Sequence, residues 1–299
     1  MMIKSNKSFS HRSKDSYEIN RVIIIGKSGF VGNELLQRLA SVGIDAIGVG
    51  RDDVDLTSQS SVFFSSNLVR DSDVVVFASA DVPVKSLEQF ERNLVMLRNF
   101  LNGVTGKKLS QVIYISSDAV FADSEQPLTE ASLRGPENLH GLMHVAREVV
   151  LENSEFRDFL CLARPTIIYG AKDPHNSYGP CSFMRLSKLS QDIVLFGNGE
   201  EKRDFIHISD VASLVTSIIQ NRSTGEFNLA TGSVHSFFEI AEIIQEITKS
   251  KSHVSSKPRI GPMPHNGYRP FDTSNLKLAF PEFSPIPLKE GLTSMYNGY

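Results

Sequence analysis

Cysteine is nearly missing from these 299 residues: only Cys161 and Cys181 are present. Two thiols make no disulfide framework, so the chain reads as one kept in a reducing compartment, the cytoplasm. An excess of one charge is missing too. The formal net charge of −3 argues against a nucleic acid or an anionic membrane surface as the main partner. Nor is there any apolar run near the ~20 residues needed to span a bilayer. The first twenty residues are polar, basic and serine-rich; they lack the apolar stretch of a secretory signal and are expected to be a disordered tail. Internal repeats and low-complexity tracts are absent. What remains is an ordinary soluble composition, 40% hydrophobic and 22% charged. Its length suits one large domain or two closely joined ones, with roughly three-quarters of the unfolded surface buried.

From Arg21 the pattern turns regular. "RVIIIG" is a β-branched run ending in glycine, as expected of a strand buried on both faces of a parallel sheet. A helical stretch follows from Gly29 to about Val42, and "IDAIGVG" reads as the next strand. "DVVVFASA", "QVIYISSDAV" and "FLCLARPTIIYG" are further strand candidates, separated by amphipathic segments such as "SLEQFERNLVMLRNFL". This alternation predicts an α/β fold, a doubly wound parallel sheet of Rossmann type, and the turn-rich texture after Gly170 predicts a smaller second domain interleaved with it. The dinucleotide-binding part is expected over residues 21–170, with elements returning around 205–232. There "FIHISDVASLVTSIIQ" and "GEFNLATG" read as strand material. Residues 171–299 are expected to hold mainly the substrate domain.

"VIIIGKSGFVGNELLQRL" sets Gly26, Gly29 and Gly32 at the spacing G-x-x-G-x-x-G between a strand and a helix. Glycines let the backbone turn sharply and approach a pyrophosphate, while free amides at the helix start receive its charge. Lys27, Phe30 and Val31 fall in the same turn. At the end of the second strand, where an acidic residue would hold ribose hydroxyls, stand Gly50 and Arg51. A small residue followed by arginine leaves room and counter-charge for a 2′-phosphate, with Lys27 as a second cation. NADP(H) is therefore favoured over NAD(H). The other reading makes Arg51 a solvated loop charge and gives the acidic role to Asp52 or Asp53.

The glycine spacing resembles that of the extended short-chain dehydrogenase/reductases, which include nucleotide-sugar epimerases, dehydratases and reductases. The resemblance covers nearly all of residues 21–299. It implies that Asp55 and Leu56 lie on the adenine side, and that Ala78, Ser79 and Ala80 line the cofactor groove. "ARPTIIYG" is similar to the strand and loop beside the nicotinamide, which brings in Pro165. "YISSDAVF" makes Ser117 the hydroxyl that bonds the reacting sugar oxygen. The family then places Y-x-x-x-K on a helix, tyrosine for proton transfer and lysine to tune it. This chain has no Y-x-x-x-K at all. "NLHGLMHVAREVVLE" aligns Gly141 and Glu148 with the family pattern and sets His140 and His144 at the tyrosine and lysine positions.

Three readings of that pair stay open. A metal site would need further ligands. A catalytic pair is chemically sound, because an imidazole with an ordinary pKa near 6.5 exchanges protons at neutral pH. A degenerate site would still bind cofactor and sugar nucleotide, as a sensor or assembly protein. In the substrate half, His175, Asn176 and Tyr178 are candidate sugar contacts. "LFGNGEEKRDFIHISDVA" resembles the epimerase motif whose arginine, here Arg203, grips the diphosphate of a nucleotide sugar; Arg269 matches a second family arginine. Asp118 followed by Ala119 lacks the acid pair of the dehydratases, so elimination is disfavoured. The expected reaction is hydride exchange at a sugar carbon, of the 4-epimerase or 4-keto-reductase type, in a chain that resemblance allows to be a homodimer.

Overall fold

Four β-branched residues in succession, Val22–Ile25, are at most 2% exposed and lie inside a sheet in the computed structural model. The structure describes residues 9–12, 19–174 and 177–298. In chain order the elements begin with β1 (Ser10–His11), β2 (Val22–Ile25), α1 (Phe30–Ser41), β3 (Ala46–Val49), α2 (Ser60–Leu68) and β4 (Val74–Phe77). Then come α3 (Leu87–Val104), β5 (Gln111–Ile115), α4 (Leu139–Glu152), β6 (Leu160–Pro165), β7 (Ile167–Tyr169), α5 (Pro180–Lys188), β8 (Ile193–Phe196) and β9 (Lys202–His207). The last are α6 (Ile208–Gln220), β10 (Ser223–Leu229), β11 (Val234–Ser236), α7 (Phe237–Thr248), β12 (Val254–Lys257), β13 (Tyr268–Arg269), α8 (Ser274–Ala279) and α9 (Leu288–Asn297).

The chain divides into two units. Unit 1 takes the chain up to Ala122, Glu130–Pro165 and Val211–Leu229. Its sheet runs in the order β1-β10-β6-β5-β4-β2-β3, parallel throughout except for β1. Parallel strands covered on both faces are apolar along their whole length, which is why β2, β4 and β5 read as unbroken hydrophobic runs. The amphipathic α3 starts at Ser86, whose hydroxyl accepts from the Gln89 amide, and packs Met96, Leu97, Phe100 and Val104 into the core with Phe77 and Tyr114. A buried ion cluster closes one end. Arg164 donates twice to Glu148 at 2.8 Å and meets Glu226 at 2.7 Å, while Arg134 pairs with Glu152, Glu226 and Glu148.

Unit 2 takes Asp123–Thr129, Thr166–Asp210 and Ala230–Tyr299. There β9 is the hub, pairing antiparallel with β11 and parallel with β13 and β7, while β8 and β12 form a separate ribbon. Its core joins Tyr169, Phe183, Phe205, Phe237, Ile240 and Leu292. The α7 helix opens on a capping box, Ser236 with Glu239, each satisfying an amide of the other.

Three sequence expectations need correction. "ISDVASLVTSIIQ" is the helix α6, because its buried residues Ile208, Val211, Ala212, Val215, Ile218 and Ile219 recur at helical spacing. "FLCLARPTIIYG" is two strands in two sheets, broken at Thr166. Within the expected tail, Ser10 and His11 form an edge strand on Thr224 and Ser223, fixed by side-chain hydrogen bonds of 2.9 and 2.8 Å. Among the described residues no helix is long and apolar enough to cross a membrane.

Candidate active site

Beyond β2 the backbone turns at Gly26 with φ 114°, and a side chain there would come within 2.9 Å of the Ala78 and Ser79 backbone. At Gly32 a Cβ would stand 2.1 Å from the Gly26 carbonyl oxygen. Turn and helix interlock too closely for any other residue. Gly29 caps α1 without a side-chain bond, and the first turn, which carries Phe30 and Val31, has no acidic residue. Its amides and the positive end of the helix are thus left to an external anion. A groove of about 540 Å³ opens here. Gly26, Gly29, Arg51, Asp55 and Leu56 line it, with Ala78, Ser79 and Ala80 from the end of β4. Ser28, a variable position of the glycine motif, lines it as well, with Thr57, Arg92 and Met96, which the sequence reading does not single out. This cradle fits a dinucleotide.

Lys27 lies elsewhere than the turn alone suggests. Its stem runs against Gly48 and Gly50, and its Nζ reaches Asp53 Oδ2 at 2.6 Å. The same carboxylate accepts from the Gly50 amide at 2.8 Å. These two donors hold the Asp53 carboxyl below the usual carboxylate range. Pro165 is the buried last residue of β6, in register with Leu229.

The reaction centre of the sequence reading gathers where β5 ends. Ser116 donates to Glu148 at 2.6 Å, whereas Ser117, half-buried, caps a short 3₁₀ turn through the Ala119 amide at 3.1 Å. Across from that turn runs α4, opened by Asn138 accepting from the Gly141 amide. A Cβ on Gly141 would meet the Ala119 oxygen at 2.1 Å, so glycine is what lets α4 press against the turn after Ser117. His140 is half-buried in the first turn of α4, its ring 4.9 Å from that of His144 in an edge contact.

His144 is 4% exposed, and its Nδ1 lies 2.7 Å from the Tyr114 hydroxyl. Burial keeps the Tyr114 phenol protonated, and the Arg147 guanidinium donates to its oxygen, which leaves the O–H to donate to Nδ1. Burial first, then His140 and Arg147, push His144 well below the ordinary imidazole value. His144 is therefore neutral at physiological pH, unlike the lysine whose position it occupies. The cation that acts on His144, Arg147, is fully buried over the Phe77 and Tyr114 rings and bonded to the Asn93 and Ser79 carbonyls. Glu148 serves the ion cluster and Ser116. Among the described residues, no group of three or more His, Cys, Asp or Glu side chains could hold a metal ion.

In unit 2 the strand register sets three basic residues side by side. On β9, Arg203 stands opposite Arg269 of β13 on one side and opposite His235 of β11 on the other. Directly opposed residues share a sheet face, about 5 Å apart. Asp204, next along β9, is buried and accepts from Thr166 and from the amides of Thr231 and Gly232. Tyr178 is engaged inside the unit: its ring packs on Phe183, Phe196 and Phe237, and its hydroxyl accepts from the Phe196 amide. His175 and Asn176 lie outside the described residues.

The profile of the NAD dependent epimerase/dehydratase family matches residues 22–230. The chain belongs to that family. It is 28% identical, over 93% of its length and 92% of the relative's, to a protein of Oryza sativa subsp. japonica named probable GDP-L-fucose synthase 1. It is 22% identical to a dTDP-4-dehydro-6-deoxy-D-allose reductase of Streptomyces sp., covering 95% and 98% of the two chains. Among solved structures, UDP-glucose 4-epimerase of Thermotoga maritima with UDP-glucose superposes with a TM-score of 0.82 at 18% identity, over 93% and 98% of the chains. The fold is thus that of the epimerase group, as the resemblance implied. The family is one of NAD-dependent enzymes and the relatives are named for reactions on nucleotide sugars, so they lend the sensor reading no support.

Proposed function

We propose that the protein exchanges a hydride at a sugar carbon of a nucleoside-diphosphate sugar, as an epimerase or a 4-keto reductase, using NADP(H) in preference to NAD(H). The observation that carries the substrate class is the register pairing of Arg203 with Arg269. Two arginines that share a sheet face on paired strands can direct two guanidinium forks at one diphosphate. The named relatives act on GDP-, dTDP- and UDP-linked sugars, which agrees with that reading.

The dinucleotide would be held by the glycine turn and the open start of α1, and when bound it supplies or accepts the hydride. Arg51 lines the groove, while the neighbouring acid Asp53 is neutralised by Lys27 and Gly50. That division supports a 2′-phosphate next to Arg51. Ser117 polarises the reacting oxygen. His140 moves the proton, with neutral His144 behind it as a positioning residue. Two buried thiols, Cys161 and Cys181, suit a reducing cytoplasm.

A panel of nucleotide sugars and 4-keto sugars offered with each cofactor tests the proposal. Turnover is expected with NADPH or NADP⁺, and the oxidising direction should rise through one ionisation near neutrality and then level off. His140→Ala and His140→Phe should each cost about 10²–10⁴ in rate with little loss of cofactor affinity. Wild-type rates in both variants would make the imidazole a bystander. Arg51→Asp should reverse a cofactor preference of roughly tenfold or more. Equal binding of both cofactors, unchanged in that variant, would remove the case for NADP(H).

A further inference from the structure

The loop entering β13 holds its backbone in a region that favours glycine. His265 (φ 53°, ψ 35°) and Asn266 (φ 51°, ψ 23°) are both left-handed, one after the other. Side-chain contacts hold the histidine there. Its Nδ1 lies 2.5 Å from Asp123 Oδ1 and 2.9 Å from Arg269 Nη1, and that arginine nitrogen lies 3.0 Å from the same Asp123 oxygen. All three residues belong to unit 2, as does Arg203, which stands opposite Arg269.

Both contacts of this triangle cannot be made by Nδ1 at once. An arginine nitrogen only donates, so it bonds Nδ1 only when that atom carries a lone pair. A carboxylate only accepts, so it bonds Nδ1 only when that atom carries a proton. A ring protonated on Nε2 alone therefore goes with Arg269, and a ring protonated on Nδ1, whether the other neutral tautomer or the imidazolium, goes with Asp123. Arg269 and Asp123 bond each other in either case. The groups facing the ring are thus two cations, Arg203 and Arg269, and one carboxylate, Asp123; Glu201 pairs with Arg203 at 3.4 Å. Burial and the two arginines push the imidazole below its ordinary value, and Asp123 pulls the other way. The His265 and Asp123 side chains keep 25% and 24% of their surface, against 2% for Arg269. A solute approaching this cluster meets the ring and the carboxylate first.

We propose that His265 is a third, titratable contact for the diphosphate bound by Arg203 and Arg269, and that sugar-nucleotide binding takes up a proton at this ring. The inference rests on the nucleotide-sugar reading above. A diphosphate brings two negative charges to a ring otherwise faced by two arginines. It therefore favours the imidazolium, which can donate to a phosphate oxygen as it does to Asp123. Linkage then requires tighter binding as pH falls toward the ring's ordinary range, about tenfold for each unit by which the ligand raises its pKa.

The test is calorimetric titration of the full chain, saturated with NADP⁺, with UDP-glucose, GDP-mannose and dTDP-glucose between pH 5.5 and 8. The phosphodiesters of these probes do not titrate in that range, and the NADP⁺ 2′-phosphate, which does, is common to the wild type and the variant. Two buffers of different ionisation enthalpy read proton uptake directly. The wild type should take up a proton and bind about tenfold tighter at pH 6 than at pH 8. His265→Gln, which keeps an amide donor but does not ionise, should bind with no uptake and a flat profile. Uptake and slope that are identical in wild type and His265→Gln, or absent from the wild type, overturn this inference alone. Failure of every probe to bind at any pH overturns the nucleotide-sugar reading with it.

Discussion

At position 144 the chain carries an imidazole 4% exposed and bonded at 2.7 Å to Tyr114. The spacing of His140 and His144 puts them on one helix face, and that much is legible in the sequence. The burial is not, because it depends on Tyr114, thirty residues away on β5. The consequence is a pH-dependent stability whose sign follows from the depressed pKa. The unfolded chain protonates His144 near 6.5 and the folded chain does so only well below that value. Below about 6.5 the unfolded state binds more protons, so this contribution is complete above 6.5 and is lost as pH falls. Thermal unfolding should show a midpoint that drops between pH 7.5 and 5.5, and His144→Gln should flatten that limb. Tyr114→Phe leaves a buried acceptor without its donor, which costs about 1–3 kcal/mol. An unchanged midpoint in Tyr114→Phe at pH 7.5 would contradict the assigned hydrogen bond.

Among the elements, the central strands and α1 follow directly from β-branched runs and the glycine turn. The misread elements share a cause. Apolar density alone makes "ISDVASLVTSIIQ" look like a continuation of the strand that ends at His207, whereas its buried positions are spaced for a helix. Thr166 parts β6 from β7 because its hydroxyl donates to Asp204, a partner no local pattern announces. Gly141 shows the converse: a motif glycine whose reason is a contact. In an open helix, Gly141→Ala would stabilise by about 1 kcal/mol through propensity. Here the added methyl meets the Ala119 oxygen at 2.1 Å and Pro136 Cβ at 2.6 Å, so α4 has to shift away from the turn after Ser117. Destabilisation of about 1–3 kcal/mol is expected, with turnover falling further than NADP(H) affinity. A stabilised, fully active Gly141→Ala enzyme would refute the close packing. Glu226→Gln, in the buried ion cluster, should cost about 3–5 kcal/mol by leaving arginine charge uncompensated, measurable by denaturant unfolding.

For the molecule as a whole, the chain passes between its two units after Ala122, Thr129, Pro165, Asp210 and Leu229. Unit 1 is legible from strand–helix alternation because long parallel strands demand continuous apolar runs. Unit 2 is less so: its strands are short and partly polar, and its loops are rich in Pro and Gly, so register could be known only from the structure. That register is what brings Arg203 and Arg269 together. Each ligand should therefore report on a different part of the chain. Binding stabilises the folded form by RT ln(1 + [L]/Kd), about 2.7 kcal/mol at a hundredfold excess over Kd. Scanning calorimetry should show stabilisation by NADPH and, separately, by a sugar nucleotide from the panel. Arg203→Ala or Arg269→Ala should abolish the second effect and keep the first, because the glycine cradle and α1 lie in unit 1 and both arginines in unit 2. If either variant loses the NADPH effect, its fold has been disturbed and the other variant decides. If both keep the sugar-nucleotide effect, the diphosphate is held somewhere other than on these two strands.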